Sequence, residues 1–553
     1  MKANLPRLLK PRLQVIAGCL VLLISSGILL QSCINKKDFE FDKLSAFEYQ
    51  PNGAVPLIHS QLTLRDILND YDTTHLFVQD ATHFLYLIYK STVFSQRADE
   101  LISVSDQNVN TSWNFATGAI AAGDSAIFSH TTNYTFTAGS SERYDSMKLK
   151  TGNLNFAISA DINHNARIYV TIPGAVKNGQ PFKKTIYYNY TGSLPVIVND
   201  VFNLDGYTFK FNAGGNQLTI NYNVAVYGDG NPNTSPYTVN MNESFLSLKY
   251  DKIFGYLGQH AFLINKDSVL IDIFRNNLHG TLYFEDPKLN IYANNAYGMP
   301  ISLSVDLLEA ESLVNPPYAI AVNGAGLPSP WSIAAPTFAQ FGQSVQTAVH
   351  LDQTNSNVKT AVNMSPRYVT YHVAGLSNPF GNPVTDQNFV IDSSRFGVDV
   401  EVELPMYGSA WDFQLQDTLD FSFGTDIDKL EWVLFKINTL NGFPVDATMQ
   451  IYFADSLYSI KDSLIVNSPL DQVISSGIVG SPPDYKVISP THKYVSSLLS
   501  KERLAHLSTV KKLLVYCKLA TVNNGLDIVK FYSDYNIDVK VGVQAQAKYQ
   551  VKP

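Results

Sequence analysis

The sequence predicts a mainly β protein, built from tandem antiparallel β-sandwich-like modules with a few short helices and preceded by a signal peptide. Three observations carry this prediction. Long stretches alternate apolar and polar residues with a period of two, one segment pattern occurs twice in the C-terminal half, and a basic, then apolar N-terminal segment ends at a cysteine. Period-two alternation is typical of strands that bury one face and leave the other in water.

The composition is that of a folded chain. Of the 553 residues, 45% are hydrophobic and 16% are charged, against a charged share of about 25% in average soluble domains. This composition excludes a disordered or coiled-coil protein, and the length allows several domains. The formal net charge of −8 argues against a nucleic-acid partner, because such a chain has no excess of cations to neutralise phosphate groups.

The first element is the N-terminal segment 1–32. Four basic residues within positions 1–12 precede an apolar run of 18 residues from Leu13 to Leu30, as in the two regions of a signal peptide. The sequence Leu30-Gln31-Ser32-Cys33 resembles the bacterial lipobox. The resemblance implies cleavage before Cys33 and attachment of lipid to this cysteine. A retained transmembrane helix is the alternative, since about 18 apolar residues suffice to span a bilayer.

The second element is a charged tether, residues 33–45, with Lys36 and Lys37 followed by Asp38 and Glu40. It resembles the export signal of surface lipoproteins of Bacteroidota, which implies an outer-membrane protein that faces outward. The alternative is a solvated linker in a protein that stays periplasmic. The segment AVPLIHSQLTLRDIL, directly after the tether, is similar to the start of uncharacterised lipoproteins of the same bacteria.

Cleavage before Cys33 changes the charge and the cysteine count. Removing four basic residues from the 40 leaves 36 against 48 acidic residues, a formal charge of −12, so attachment to the membrane depends on the lipid. Cys517 is then the only other cysteine of the mature chain, and no intramolecular disulfide forms. Its apolar neighbours predict a buried structural thiol.

The remaining elements are a small mixed region, 46–110, and three β-rich regions, 111–279, 280–424 and 425–553. The last two are predicted copies of one module. Gly298-x-Pro300 matches Gly442-x-Pro444 at an offset of 144, and two later strand segments match in the same order at offsets of 145 and 139. A degenerate third copy is predicted in 111–279, with strands at 154–158 and 168–173. Short helices are predicted at 358–362 and 493–507.

The stretch from Glu285 to Asn295, followed by Gly298-x-Pro300, resembles the core of the late-embryogenesis-abundant type 2 β-sandwich. Elongated tubular lipid-binding folds are similar in having long alternating strands and a helix. The resemblance implies a sandwich architecture and no particular activity.

The sequence contains no recognisable catalytic, metal or cofactor motif. HExxH, CxxC, GxSxG and phosphate-loop patterns are missing, and the 11 histidines are scattered. Asp399, Glu401 and Glu403 share one face of a strand and are predicted to be solvated. The segment from Asp229 to Asn233 is predicted to be a turn, with a calcium loop as the alternative.

Aromatic residues offer a possible ligand platform. Tyr188 and Tyr190 share one face of a predicted strand, and Trp113, Trp331 and Trp411 lie in loop-like surroundings, where exposed rings could stack against sugars. The alternative is that these large side chains fill the core.

These features predict a non-enzymatic outer-membrane lipoprotein, favoured at the cell surface, that acts as a binding or scaffolding subunit of an envelope complex. The expected partner is an outer-membrane protein of a β-barrel assembly, export or transport machinery. Two alternatives remain: a surface glycan-binding lipoprotein, which needs exposed aromatic rings, and a tubular lipid carrier, which needs an apolar cavity along a module.

Overall fold

The structure is a computed structural model that describes residues 47–63, 76–139, 141–233, 236–271, 274, 280–313, 316–382, 387–422, 426–465 and 471–551. The predicted signal peptide, the lipidation site Cys33 and the tether residues Lys36, Lys37, Asp38 and Glu40 lie outside the described residues. In the part of the chain that is described, no helix has the length and apolar character needed to cross a membrane.

The described chain is mainly β, as predicted, and its strands pair antiparallel. The N-terminal segment contains β1 (Phe47–Tyr49), β2 (Asn52–Thr63), β3 (Leu76–Gln79), β4 (Leu85–Arg97) and α1 (Ala98–Leu101). Module 1, residues 107–256, contains β5 (Gln107–Phe115), β6 (Ser125–Thr135), β7 (Arg143–Ala160), β8 (Ala166–Lys177), β9 (Gln180–Tyr188), β10 (Val196–Asn203), β11 (Thr208–Lys210), β12 (Gln217–Tyr227) and β13 (Tyr237–Tyr256).

Two further modules follow. Module 2, residues 261–405, contains β14 (Ala261–Leu270), β15 (Thr281–Phe284), β16 (Lys288–Asn295), β17 (Ile301–Glu311), β18 (Ala319–Ala321), β19 (Trp331–Ile333), a 3-10 turn (Phe338–Gln340), β20 (Val345–Leu351), α2 (Val358–Asn363), β21 (Tyr368–Ser377), β22 (Asn388–Ile391) and β23 (Arg395–Pro405). The strand β24 (Tyr407–Trp411) links it to the next module.

Module 3, residues 413–547, has the same plan. It contains β25 (Phe413–Asp420), a 3-10 turn (Ile427–Lys429), β26 (Leu430–Asn441), β27 (Val445–Ala454), β28 (Ile460–Ser463), β29 (Asp471–Ile474), β30 (Ile478–Val479), β31 (Val487–Ser489), β32 (Thr491–Ser500), α3 (Lys501–Ala505), β33 (Lys512–Thr521), β34 (Val529–Lys530) and β35 (Asn536–Ala547). The strand β36 (Tyr549–Val551) follows it and pairs with β1.

All three modules share one strand order. The first sheet runs β10-β7-β13-β5 in module 1, β20-β16-β23-β4-β3 in module 2 and β32-β26-β35-β2 in module 3. In module 1 the first and second sheets are two layers of one continuous sheet, because β11 pairs with both β7 and β8, and β22 of module 2 pairs with β13. The second sheet runs β6-β12-β8-β9, β14-β21-β17 with β18 and β19, and β25-β33-β27 with β28 and β29. The strands predicted at 154–158 and 168–173 lie in β7 and β8, which are equivalent to β16 and β17 of module 2.

The structure corrects the register of the repeat. Asn295 donates to the carbonyl oxygens of Met299 (3.1 Å) and Ala334 (3.0 Å), and its side-chain oxygen accepts from the backbone of Tyr297. Asn441 makes the same three bonds, to Val445, Ser475 and Phe443. The equivalent residues are therefore these two asparagines, 146 positions apart, and not the Gly-x-Pro segments at 144. The two-residue error preserves the buried face of each strand, because side chains alternate with a period of two.

The structure also groups the strands differently from the predicted regions. The first strand of module 2, β14, lies before the predicted boundary at 280, and β25 of module 3 begins before 425. Region 46–110 is not a separate unit, because β4 pairs with β23 of module 2 and β2 pairs with β35 of module 3. Sequence comparison misses these strands because they carry no repeated residues.

The N-terminal segment lines all three modules in reverse order. Strand β2 extends the first sheet of module 3, β4 extends that of module 2, and β5 extends that of module 1. In each case the added strand pairs with the last strand of the module. We call residues 52–63 and 76–115 the spine, since this part of the chain contributes to every module a strand that pairs with the module's last strand.

Of the two predicted helices, the one at 358–362 is confirmed as α2. The prediction at 493–507 is wrong, because β32 extends through Ser500 and α3 covers only Lys501–Ala505. Val495 and Leu499 face the core, whereas Leu498 is 52% exposed. The alternation of this stretch is that of a strand, and its apolar residues also happen to fit a helical spacing.

Candidate ligand-binding site

The predicted aromatic platform is wrong for two of its five residues. Tyr188 is fully buried, and its hydroxyl donates to the carbonyl oxygens of Ala160 (3.0 Å) and Ile162 (2.9 Å). Trp331 is only 5% exposed. Both side chains point from a strand into the interior of a sandwich, so neither can contact a ligand at the surface.

The other three predicted residues do not form one surface. Trp113 is half-buried and stacks on His130, with ring centroids 4.5 Å apart, next to Tyr222 in the interior of module 1. Tyr190 is half-buried just after β9. Trp411 is 57% exposed, but it lies in a small separate sheet formed by β15, β24 and β34.

A different aromatic group lies on the outer face of the second sheet of module 1. Arg167 of β8 lies directly opposite Tyr187 of β9, and Tyr169 and Tyr227 are its neighbours on the same face. Tyr187 is 61% exposed and Tyr169 is 37% exposed. We call these four residues the tyrosine–arginine face.

Sequence reasoning missed this group by one position. In the run Tyr187-Tyr188-Asn189-Tyr190, the sequence prediction selects Tyr188 and Tyr190 as the ligand platform and leaves out Tyr187. The signal that could have corrected the assignment is Ile186, which is fully buried within β9. Because side chains alternate along a strand, a buried Ile186 requires that Tyr188 is buried and Tyr187 exposed.

The four side chains form a contiguous set. The guanidinium carbon of Arg167 lies 5.6 Å from the ring centre of Tyr187 and 5.3 Å from that of Tyr227, within the range of cation–π attraction. Hydrogen bonds with the hydroxyl of Tyr227 and with Arg167 lower the pKa of Tyr169. Among the described residues, the electrostatic partners of Arg167 are these tyrosines, and none is a carboxylate.

A carboxyl group with a strongly raised pKa lies elsewhere and is inaccessible. Glu243 is fully buried between the sheets of module 1, accepts a hydrogen bond from the hydroxyl of Tyr222, and has a second oxygen without a hydrogen-bond partner. Burial raises its pKa to about 7. A raised pKa is typical of catalytic acids, but no substrate can reach this carboxyl group while the sandwich is closed.

Asp399 and Glu401 of β23 line a shallow depression of 480 Å³ that is also lined by Lys90, Thr92 and Tyr292. Asp399 accepts a hydrogen bond of 2.6 Å from Thr92, and Glu401 pairs with Lys90 at 2.7 Å. Burial alone would raise the pKa of Glu401, but the hydrogen bond from Lys90 and its other partners outweigh burial and lower it.

Glu401 is in fact buried rather than solvated, at 7% exposure, whereas Asp399 and Glu403 are half-buried. The predicted solvated face is therefore wrong for Glu401. The side chains of neighbouring strands cover this carboxylate, because β4 of the spine lies beside β23.

Metal ligands do not cluster within the described ranges, where no group of three or more His, Cys, Asp or Glu side chains could hold an ion. The carboxylate of Asp229 accepts a hydrogen bond of 3.0 Å from the backbone of Asn231 and lies 3.0 Å from His164. This is the geometry of a turn, which agrees with the interpretation favoured by the sequence.

No protein-family model matches the sequence, and the comparison with curated proteins finds no similar chain. Among solved structures, the chain is similar to one from Parabacteroides distasonis named as a secreted protein, with 13% identity, coverage of 54% of this chain and 84% of the other, and a TM-score of 0.28. PNGase F, a glycosylasparaginase from Flavobacterium meningosepticum, has 12% identity, coverage of 54% and 96%, and a TM-score of 0.13. TM-scores of this size do not establish a shared fold.

A third similar structure is the tandem CBM22 domain of Xyn10C from Paenibacillus barcinonensis. It has 10% identity, coverage of 57% of this chain and 98% of the other, and a TM-score of 0.14.

Proposed function

We propose that this protein is a non-enzymatic, lipid-anchored binding protein of the bacterial outer membrane, and that its three modules form one connected binding unit. The observation that supports this proposal is the spine, which pairs with the last strand of every module. The spine begins only a few residues after the segment that would carry the lipid at Cys33. The segment that follows the predicted tether would thus pair with module 3 through β1 and β2.

Metabolic labelling tests the anchor. Cells that express the full chain would be fed an alkyne-bearing palmitate, and the purified protein would be coupled to a fluorophore. We expect label in the wild type and none in Cys33→Ser, while Cys517→Ser keeps the label and serves as the matched control. Equal labelling of wild type and Cys33→Ser would refute the anchor.

As a binding or scaffolding subunit, the protein would contact an outer-membrane protein of an assembly, export or transport machinery. Photo-crosslinking in intact cells tests this role, with a crosslinking amino acid placed at exposed positions such as Leu457 of module 3 or Phe380 of module 2. A reproducible adduct with one envelope protein is expected. If neither position yields an adduct, the scaffolding role loses its support.

The second candidate function is glycan binding, and the tyrosine–arginine face favours it. Exposed aromatic rings on a flat sheet present the surface against which the apolar faces of sugar rings stack. Retention on glycan arrays tests this function. We expect binding by the wild type and weaker binding by Tyr187→Ala, whereas Tyr494→Ala, which removes an exposed tyrosine of module 3, leaves it unchanged.

The third candidate, a tubular lipid carrier, gains no support from module 1. Its interior is filled by aromatic rings: Phe136, Phe209 and Phe245 lie 5.3 to 6.0 Å apart, and all three are at most 1% exposed. A lipid chain would have to displace these rings, whose contacts are those of a close-packed core.

A further inference from the structure

The tyrosine–arginine face lies on a layer of four strands, the second sheet of module 1, that contains no acidic residue. Strands β6, β12, β8 and β9 contain no aspartate or glutamate, and their outer face carries Arg167 and Lys183. This is unusual in a chain with 48 acidic and 40 basic residues. A basic surface without carboxylates attracts anions.

The equivalent sheets of the other modules are acidic. Those of module 2 carry Asp267, Asp306, Glu309 and Glu311. Those of module 3 carry Asp417, Asp420, Asp446, Asp462 and Asp471. Because all three sheets share one strand order, the difference lies in the side chains and is confined to module 1.

Arg167 is the central cation of this face. It is exposed, its guanidinium group lies between the rings of Tyr187 and Tyr227, and no carboxylate of the described residues pairs with it. The planar guanidinium donates two parallel hydrogen bonds to a carboxylate or a sulfate. Since the rings already restrain it, such a bond costs less conformational entropy than one from a free side chain.

Hydroxyl-binding groups surround this cation on the same face. Asn223 lies beside Tyr169 and accepts a hydrogen bond of 2.6 Å from Ser129, and Asn221 accepts one of 3.0 Å from Thr131. Amides and hydroxyls of this kind both donate to and accept from sugar hydroxyls. The face thus combines rings for stacking, amides for hydroxyls and a cation for an acid group.

We infer that this face of module 1 binds an acidic polysaccharide, with sugar rings stacked on the exposed tyrosines and an acid group of the sugar held by Arg167. This inference rests on the proposed glycan-binding function and specifies its ligand class. A neutral sugar would use the rings and leave the cation without a partner, whereas an acidic sugar uses both.

Calorimetric titration tests the inference with the full chain and two probes, a galacturonate hexamer and a neutral cellulose hexamer. We expect the acidic probe to bind at least about ten-fold more tightly. Arg167→Gln should weaken binding of the acidic probe about ten-fold and leave any binding of the neutral probe unchanged. Tyr187→Ala should weaken binding of both. Arg395→Gln, which removes an exposed arginine of module 2, and Tyr494→Ala are the matched controls.

The outcomes separate this inference from the function on which it rests. Equal affinity for both probes, lowered by Tyr187→Ala, overturns the inference and leaves glycan binding in place. No binding of either probe, with the same outcome on glycan arrays, overturns both. Acidic binding that Arg167→Gln does not weaken overturns the inference as well. Circular dichroism would check that each variant is folded, which we expect because the substituted side chains are exposed.

Discussion

Modules 1 and 2 share one hydrophobic core, whereas module 3 has a smaller one and meets the start of β4 only through a small third cluster that includes Leu85, Phe443 and Ile537. Buried residues between Leu87 and Leu404 form one cluster of contacting side chains, and buried residues between Ile427 and Val510 form the second. Phe254 of module 1 stacks on Phe341 of module 2 at 5.5 Å, so the first two modules are joined by packed rings. A common strand order therefore does not imply equal coupling, and we expect modules 1 and 2 to unfold together and module 3 by itself.

Among the variants that test this comparison, Phe245→Ala in module 1 should have the largest effect on stability. Phe245 is fully buried and lies 5.3 Å from Phe136 and 5.7 Å from Tyr134. Removing the ring should lower the free energy of unfolding of the joined modules by about 3–5 kcal/mol. Denaturant titration should show the first transition shifted and the transition of module 3 unchanged.

Leu499→Ala is the reciprocal variant, because Leu499 is fully buried in the core of module 3. It should shift only the second transition, by about 2–5 kcal/mol. A single transition that moves with both variants would show that all three modules form one cooperative unit.

The equivalent asparagines offer a matched pair of smaller effect. Asn295→Ala and Asn441→Ala each remove three buried hydrogen bonds and leave backbone groups without partners, at about 1–3 kcal/mol for each group. We expect a loss of about 3 kcal/mol in both, in the first transition for Asn295→Ala and in the second for Asn441→Ala. Unequal losses of more than about 2 kcal/mol would contradict the structural equivalence of the two turns.

A pH series separates the modules further. Burial raises the pKa of Glu243 from 4.5 to about 7, so the folded state binds a proton that the unfolded state releases above pH 4.5. The contribution of Glu243 to the free energy of unfolding should be fully present below pH 4.5. It should fall by about 3 kcal/mol in total as the pH rises to 7. Glu243→Gln should abolish this dependence in the first transition. A wild type equally stable at pH 5 and pH 8 would contradict the assignment.

A second buried carboxyl group of the same module has the opposite shift. Burial would raise the pKa of Glu142, but hydrogen bonds from His260 and Tyr144 outweigh it and lower the pKa. The hydrogen bond to Glu142, at 3.2 Å, raises the pKa of His260 above 6.5. The contribution of Glu142 to the free energy of unfolding is present above pH 4.5 and is lost as the pH falls. That of His260 is present below pH 6.5 and lost as the pH rises through its folded pKa.

This pair joins β7 of module 1 to the start of module 2. His260→Gln should therefore destabilise the joined modules by about 1 kcal/mol more at pH 5.5 than at pH 8.5. Chemical denaturation at the two pH values measures the difference. His164→Gln is a poor control because that histidine is fully buried, so His372→Gln, with a half-buried side chain in module 2, is preferable.

The sequence predicts the fold class and the repeat, because both depend on alternation that is local to a strand. It does not predict the spine, since the pairing of β2 with β35 joins residues more than 400 positions apart and no local signal marks it. The sequence prediction of the candidate site names Tyr188, one residue away from the exposed Tyr187. A run of three tyrosines within four positions contains no polarity that indicates the exposed face, and only the neighbouring Ile186 indicates it.

The smallest effect concerns Cys517, which lies in β33 of module 3. The prediction of a buried thiol is confirmed only in part, because the residue is half-buried; its burial raises its pKa to about 11. At pH 8 almost none of it is thiolate, which is the reactive form.

Substitution of Cys517 by serine should change stability little. Labelling of the native thiol by a maleimide should be slow and should accelerate only when module 3 opens. With Cys19 and Cys33 both replaced by serine, Cys517 is the only cysteine left in the sequence and the labelling rate reports on module 3. Leu499→Ala should increase this rate, whereas Phe245→Ala should not.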